Sequence, residues 1–486
     1  MEANIYGDLR KPIIRRSLFP AYLLMMLLPH ILLYSLMTNY SDIKPLLAVL
    51  LLYTTLMIGM FLFYFRAPIY TLYHLVFLIC FQSLLVGVGM NFTADPSGER
   101  VKLLMVYKEF YAIILAVLLF VAYKSKTKFF KFENLVFLLG GWMALSFLIS
   151  DGNLENKFYY IRSFLIVFVA YFIGRFVYTP MKNNAHKFQK YYSLIVLIGI
   201  IASVVGFIFM SIDTHSTIWR DIFNLGHILE AKGTAYSDYP DYFTSIGPNY
   251  VPRMFSFFFD AINLAYFMLV ALLASFLVKS RNMFFVRIIL LAGLTMTFGK
   301  GAFAILAAVL VWYLFLGVFK INPRLFVTIF LMAIIGAFFV IESSSFRSSI
   351  GVHFEGFVIP FTNMLSAPIG NGLGAGGVYY AMANDLFAWN LTYMGAESFI
   401  GTLIYQLGIP GFLIYILFFA NATKHLLRFA YRGEKIDQTY IMLSGIIFCS
   451  FIISFFQEAT LGINYTGLLI VICGFAMSRV KAHTEE

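Results

Sequence analysis

At 486 residues, 61% of them hydrophobic and 12% charged, the chain carries about half the charged fraction of an ordinary soluble domain. A mean hydropathy of +0.83 excludes a soluble enzyme. The formal charge of +11 is accounted for by basic segments beside membrane spans and calls for no nucleic acid partner.

Apolar runs able to cross a hydrocarbon core of about 30 Å as helices recur along the chain, and the alternating strands of a β-barrel are absent. The chain opens on the basic, polar stretch MEANIYGDLRKPIIRRS, followed by PAYLLMMLLPHILLYSLM. Without a small-residue cleavage site, this reads as a retained first helix. Spans are expected at about 18–37, 45–65, 69–90, 104–122, 133–149, 161–178, 191–211, 257–278, 284–298, 301–319, 325–341, 398–419, 438–456 and 460–477. The expected fold is therefore an all-α polytopic membrane protein of about 14 helices. Of these, 284–298 and 301–319 are short and joined only by Gly299-Lys300-Gly301, which predicts a tight hairpin or a broken helix.

Charge gives the orientation. With the N-terminus in the cytoplasm, 24 of the 35 basic residues fall on the inner side, 10 fall outside, and Lys108 lies in a span. That split satisfies the positive-inside rule and returns the tail RVKAHTEE to the cytoplasm. Two outer segments are long, at about 212–256 and 342–397. They divide the chain into helices 1–7 (1–211), the first outer segment, helices 8–11 (257–341), the second outer segment, and helices 12–14 with the tail (398–486). Long insertions on one face of a helical scaffold are where binding and chemistry concentrate. The second segment is apolar in places, so it lies at the interface or dips into the bundle, where protein or water must satisfy its backbone.

Three stretches carry a further signal. They are RMFSFFFDAINLAYFMLVALL at 253–273, LTMTFGKGAFAILAAVLVWY at 294–313, and SAPIGNGLGAGG at 366–377 followed by AESFIGTLIYQLGIPGFLIY at 396–415. In order and spacing they resemble the O-antigen polymerase and ligase superfamily, membrane glycosyltransferases with a GT-C-like fold that use undecaprenyl-pyrophosphate-linked sugars. The resemblance covers roughly the C-terminal half. It departs from the family at Ala396-Glu397-Ser398, where many ligases have histidine. It also departs at Asp260-Ala261-Ile262-Asn263, where proline is common, and at Lys300 in place of arginine.

The resemblance implies polymerisation of lipid-linked repeat units into a cell-surface polysaccharide, at the outer face of a bacterial cytoplasmic membrane. Membrane lipids, a flippase and a chain-length regulator of the same pathway would be the partners. Departing pyrophosphate needs fixed positive charge, and the arginine fork suits it. Arg253 and Arg347 are the leading candidates, with Lys300, Arg162 and Arg220 as further substrate-binding cations. For Arg253 the plain alternative is an interfacial anchor. Glu397 is the candidate base, or else a negative charge complementing a helix N-terminus. Asp260 and Asn263, three apart on one helix face, brace the site or bind substrate. Gly372 and Gly374 permit tight turns or close backbone approach to a lipid phosphate.

The eight histidines form no HxH or HExxH pair, and Cys80, Cys449 and Cys473 are scattered in apolar runs. Neither metal nor another cofactor is expected. Two other readings stay open: a ligase, disfavoured by the missing histidine, and a flippase or secondary transporter, disfavoured by the absence of a convincing internal repeat. The orientation is testable. A membrane-impermeant thiol label should modify a cysteine engineered near residue 235 or 380 and spare one near 128 or 430; the reverse pattern overturns it.

Overall fold

The computed structural model describes residues 43–64, 67–91, 98–182, 184–212, 223–224, 243–246, 249–280, 283–330, 332, 350–383 and 394–483. Among them, eight helices are long and apolar enough to cross a membrane, and four shorter apolar helices accompany them. The helices are α1 (Ile43–Gly59), α2 (Ile69–Met90), α3 (Gly98–Tyr123), α4 (Asn134–Ile149), α5 (Leu154–Met181) and α6 (Ala185–Ile212). After the β-hairpin of β1 (Phe243–Ile246) and β2 (Asn249–Pro252) come α7 (Ala261–Ser275), α8 (Met283–Met296) and α9 (Lys300–Tyr313). A helical segment over 323–330, α10, is followed by α11 (Ile350–Thr362), α12 (Val378–Ala383), α13 (Phe399–Ala430), α14 (Gln438–Ile453) and α15 (Leu468–His483). The span expected at 18–37 lies outside the described residues, as does most of 325–341.

The bundle is apolar outside as well as inside. Leu148 is 78% exposed, and Leu56, Leu138, Ile212, Phe284 and Phe285 stand out with it, a surface that water would penalise and lipid does not. α7 is apolar on every face and buried nearly all round, as a central helix must be. Its neighbour α6 approaches at Gly199, where an added Cβ would stand 2.7 Å from that of Ala271. α5 and α15 cross at Gly174 and Gly474. Built Cβ atoms there would stand 2.1 Å from the Val471 carbonyl oxygen and 2.3 Å from that of Tyr171, so backbone meets backbone.

One turn from that crossing sits a buried ion pair. Arg175 Nε lies 2.8 Å from Glu133 Oε1, and the two side chains are 1% and 0% exposed. Further polar partners surround the pair. Arg175 donates to the Lys128 carbonyl (2.6 Å) and to Ser478 Oγ (3.0 Å), while Glu133 accepts from the Tyr171 hydroxyl (2.6 Å) and the Phe130 amide (2.8 Å). The pair joins the loop before α4 to α5 and α15.

The second long segment contains structured, non-helical backbone docked on a helix break. In α13, Gly408 has φ 62°, ψ −156°, and Pro410 follows. Proline cannot donate to the carbonyl four residues back. The freed Gln406 carbonyl instead accepts from the Gly372 amide (3.1 Å), and Tyr405 O accepts from Asn371 N (2.8 Å). Leu407 O accepts from the Trp142 indole (2.9 Å), while Ile409 N turns to Pro368 O (2.8 Å). The segment expected as an outer loop thus packs against α4 and α13, and α11 adds a helix where the sequence suggested only apolar patches.

Contacts between helix ends fall into two sets. Tyr431 donates to Leu316 O, Gln438 to Gly317 O and Gln189 to Leu277 O at the end that carries most of the lysines and arginines. At the other end, Arg253 meets Thr297, Tyr266 meets Gln457, and Ile400 meets Ser454. This is the alternation expected from an up-and-down helical chain. Arg175→Met should strand a buried carboxylate and lower unfolding stability by about 3–5 kcal/mol. Adding Glu133→Gln should recover much of the loss in detergent unfolding curves, and simple additivity of the two would refute the coupling.

Candidate functional site

At the end opposite the lysine-rich one, the α8–α9 hairpin presents two expected cations. Arg253 follows β2 and is pinned by Nε donating to the Thr297 carbonyl (2.9 Å), with Met254 N bonded to Met296 O (2.8 Å). Phe298 turns the chain at φ 51°, and Gly299 is required because a Cβ would meet that of Ala265 at 2.2 Å. Lys300 then begins α9 with its side chain exposed. At Gly301 a Cβ would stand 1.8 Å from Gln457 Oε1, which accepts from the Tyr266 hydroxyl (2.5 Å). The tight hairpin expected from sequence is therefore wedged between α7 and the turn at 454–462.

Asp260 is the N-cap of α7. Its Oδ1 accepts from Ile262 N (2.8 Å) and Asn263 N (3.0 Å), and its Oδ2 from Asn263 Nδ2 (3.0 Å). These two residues brace the start of α7; Asp260 caps the helix from an extended conformation instead of sharing a helix face with Asn263, as the spacing of three had suggested. Asn263 Oδ1 is buried and accepts no hydrogen bond among the described residues.

Glu397 precedes α13, but the cap is Ser398, whose Oγ accepts from Gly401 N (2.8 Å). Glu397 itself stands at φ 68°, a left-handed conformation that costs an L residue about 1–2 kcal/mol. Its carboxylate, in a side chain 46% exposed, lies 3.5 Å from His353 Nδ1 of α11.

The residue that sequence reasoning missed is Glu458. It lies in the turn between α14 and α15, partly buried, with the Val378 amide of α12 donating to it and Glu397 close enough to act electrostatically. Burial first, and the Glu397 charge second, push its carboxyl up to about 8. Its one sequence signal was a carboxylate in a very short turn between two spans. Ser454 O, accepting from Ile400 N (3.2 Å), holds that turn against the head of α13.

Arg162 lies on α5 with its guanidinium 2.9 Å from Glu109 and over the Tyr159 ring at 4.7 Å. Tyr159 stacks on Tyr379 (4.2 Å between centroids, 6° between planes), and the Tyr379 hydroxyl donates to Glu155. Burial, then Glu155, push the Tyr379 phenol up to about 12. Arg162 thus has a carboxylate partner within the protein. Gly372 and Gly374, at φ 96° and 82°, are buried against Ser150 and Lys157. Gly372 N donates to Gln406 O (3.1 Å) and Gly374 N to Gln406 Oε1 (2.8 Å), so both amides are engaged internally and tight packing accounts for these glycines. Arg220 and Arg347 lie outside the described residues.

The result is a continuous line at one end of the bundle. Arg253, after β2, is bonded to Thr297 at the hairpin turn that precedes Lys300; Gly301 abuts Gln457, the neighbour of Glu458, and Glu458 in turn feels Glu397, which stands beside His353. Cations and a pair of interacting carboxylates at one end of a bundle can between them bind an anion and move a proton. No protein-family model matches the chain, and no curated protein matches it.

The strain at Glu397 is measurable. Glu397→Gly should raise unfolding stability by up to about 1 kcal/mol, the relieved strain less the added flexibility of the unfolded chain. Glu397→Val should lower it. Equal loss in both variants would mean that the carboxylate itself holds the fold.

Proposed function

We propose that this chain is a membrane glycosyltransferase that polymerises undecaprenyl-pyrophosphate-linked repeat units on the outer side of a bacterial cytoplasmic membrane, through about fourteen spans with both termini inside. The observation that carries the reading is that the hairpin bearing Lys300, to which Arg253 is bonded, packs at Gly301 against Gln457, next to the interacting carboxylates Glu458 and Glu397. The three stretches that motivated the resemblance supply most of these residues. In the reaction, the acceptor hydroxyl oxygen forms a bond to the donor's anomeric carbon. The bond from that carbon to the phosphate oxygen breaks, and its electron pair leaves with the lipid pyrophosphate. Arg253 and Lys300, joined by Arg347, offset the charge that develops there. A carboxylate at the same end receives the hydroxyl proton.

Ligase-type transfer is a second reading with one observation in its favour. His353 stands 3.5 Å from Glu397 at the head of α13, near the place where many ligases have a histidine in sequence.

The test is single-turnover elongation by purified protein in liposomes with the lipid-linked repeat unit as the sole sugar substrate. A product ladder is expected; transfer only to an added, different acceptor would favour the ligase. Arg253→Lys and Arg347→Lys keep the charge but lose the fork. Each should slow transfer about 10–100-fold, the equivalent of a charged hydrogen bond worth about 1.5–3 kcal/mol. Near-normal turnover in both variants, or no product from the wild type, defeats the reading.

A further inference from the structure

Two carboxylates could receive the acceptor's proton, and they are not equivalent. Glu397 sits half-exposed on a strained backbone with His353 beside it. Glu458 is held on several sides. Its neighbour Gln457 is bonded to Tyr266, the turn that carries it is tied to α13 through Ser454, and the Val378 amide donates to its carboxylate. The start of α9 also abuts Gln457, the residue before it.

We propose that Glu458, not Glu397, is the base that takes the proton from the acceptor hydroxyl, and that Glu397 acts through it as a positioning residue. This rests on the glycan-transfer reading above. The O–H bond breaks toward a Glu458 oxygen as the new C–O bond forms and lipid pyrophosphate departs. The proton then passes to water at the open side, where Glu397 is solvated.

The groups around Glu458 support the assignment. From α5, Tyr159 and Tyr160 lie within electrostatic reach of it, while Arg162 is directed to Glu109 of α3. From α12 it receives the Val378 amide, and Tyr379 is turned to Glu155. α9 meets the preceding residue Gln457 at Gly301, and the Asp260 carboxylate of α7 is occupied by capping. Glu397 is the charge that acts on it most, and as a like charge it strengthens the base. A carboxyl raised to about 8 is mostly protonated at neutral pH, so its basic form grows as pH rises.

The sign follows. Wild-type transfer of the lipid-linked repeat unit, under single-turnover conditions, should rise with pH through about 8. Glu397→Gln removes the neighbouring negative charge, so the midpoint should move to lower pH. Glu458→Gln should slow transfer by about 10²–10⁴-fold and abolish the rise, and Glu458→Asp should keep part of the rate. Donor binding and thermal unfolding, measured alongside, separate lost chemistry from lost fold. Infrared spectra give a readout independent of turnover: a protonated-carboxyl band at pH 7 that Glu458→Gln removes.

The assignment is overturned if Glu458→Gln elongates at more than about a third of the wild-type rate, if Glu397→Gln leaves the midpoint in place, or if the carboxyl band survives Glu458→Gln. A wild type that never elongates the substrate defeats the transfer reading, and the base assignment with it. An active wild type with an unaffected Glu458→Gln defeats the base assignment alone.

Discussion

A proline deep in an apolar helix sets a constraint on which much of this architecture depends. Pro410 leaves the Gln406 carbonyl without its helical donor, and Gly408 swings the chain so that neighbouring groups are released as well. In lipid each such group would cost several kcal/mol if left bare. The 366–377 segment supplies the missing partners from its own backbone, and Trp142 supplies another. The same docking carries the chain from α11 to α12, and Gly377 N, donating to Met394 O, ties it to the residues before α13, where Glu397 stands. A helix defect and an irregular segment, each unstable alone, complete one another and position a candidate site.

The opposite end of the bundle solves a related problem with charge. Arg175 and Glu133 are fully withdrawn from solvent, and their mutual attraction alone would not repay desolvation. The carbonyl, hydroxyl and amide partners around them make the difference. Because those partners come from three separate parts of the chain, the pair also fixes how α5 and α15 register near their Gly174–Gly474 contact. Close backbone packing and a satisfied polar cluster thus occupy one crossing, each making the geometry of the other unavoidable.

Much of the scaffold was legible because its signals are local. Apolar run length gave the helices, charge asymmetry gave the sorting of their ends, and Gly299-Lys300-Gly301 gave the α8–α9 hairpin. What sequence could not give depends on partners far apart in the chain. Nothing near Gln406 announces that its side chain bridges Gly374 and Gly376, and nothing near Glu133 announces Arg175. Glu397 looked like a helix-terminal charge, yet the serine after it does the capping. Glu458 was overlooked because its character comes from surroundings assembled out of α5, α12 and the residue before α13.

Under the proposed reaction this end of the protein faces a contradiction: its substrate is an anion, yet carboxylates gather there. The geometry resolves it one residue at a time. Glu109 is paired with Arg162, the Asp260 oxygens accept from amides at the start of α7, and Glu155 takes the Tyr379 hydroxyl proton as a hydrogen bond. Burial and the Glu397 charge push the Glu458 carboxyl up, toward its neutral form. The field a pyrophosphate would meet is therefore less negative than the composition suggests. The proton of the neutral form must leave Glu458 before it can act as a base. Binding of the anionic donor is thus favoured by the protonated form and transfer by the ionised one, and a carboxyl titrating near physiological pH serves both steps in turn.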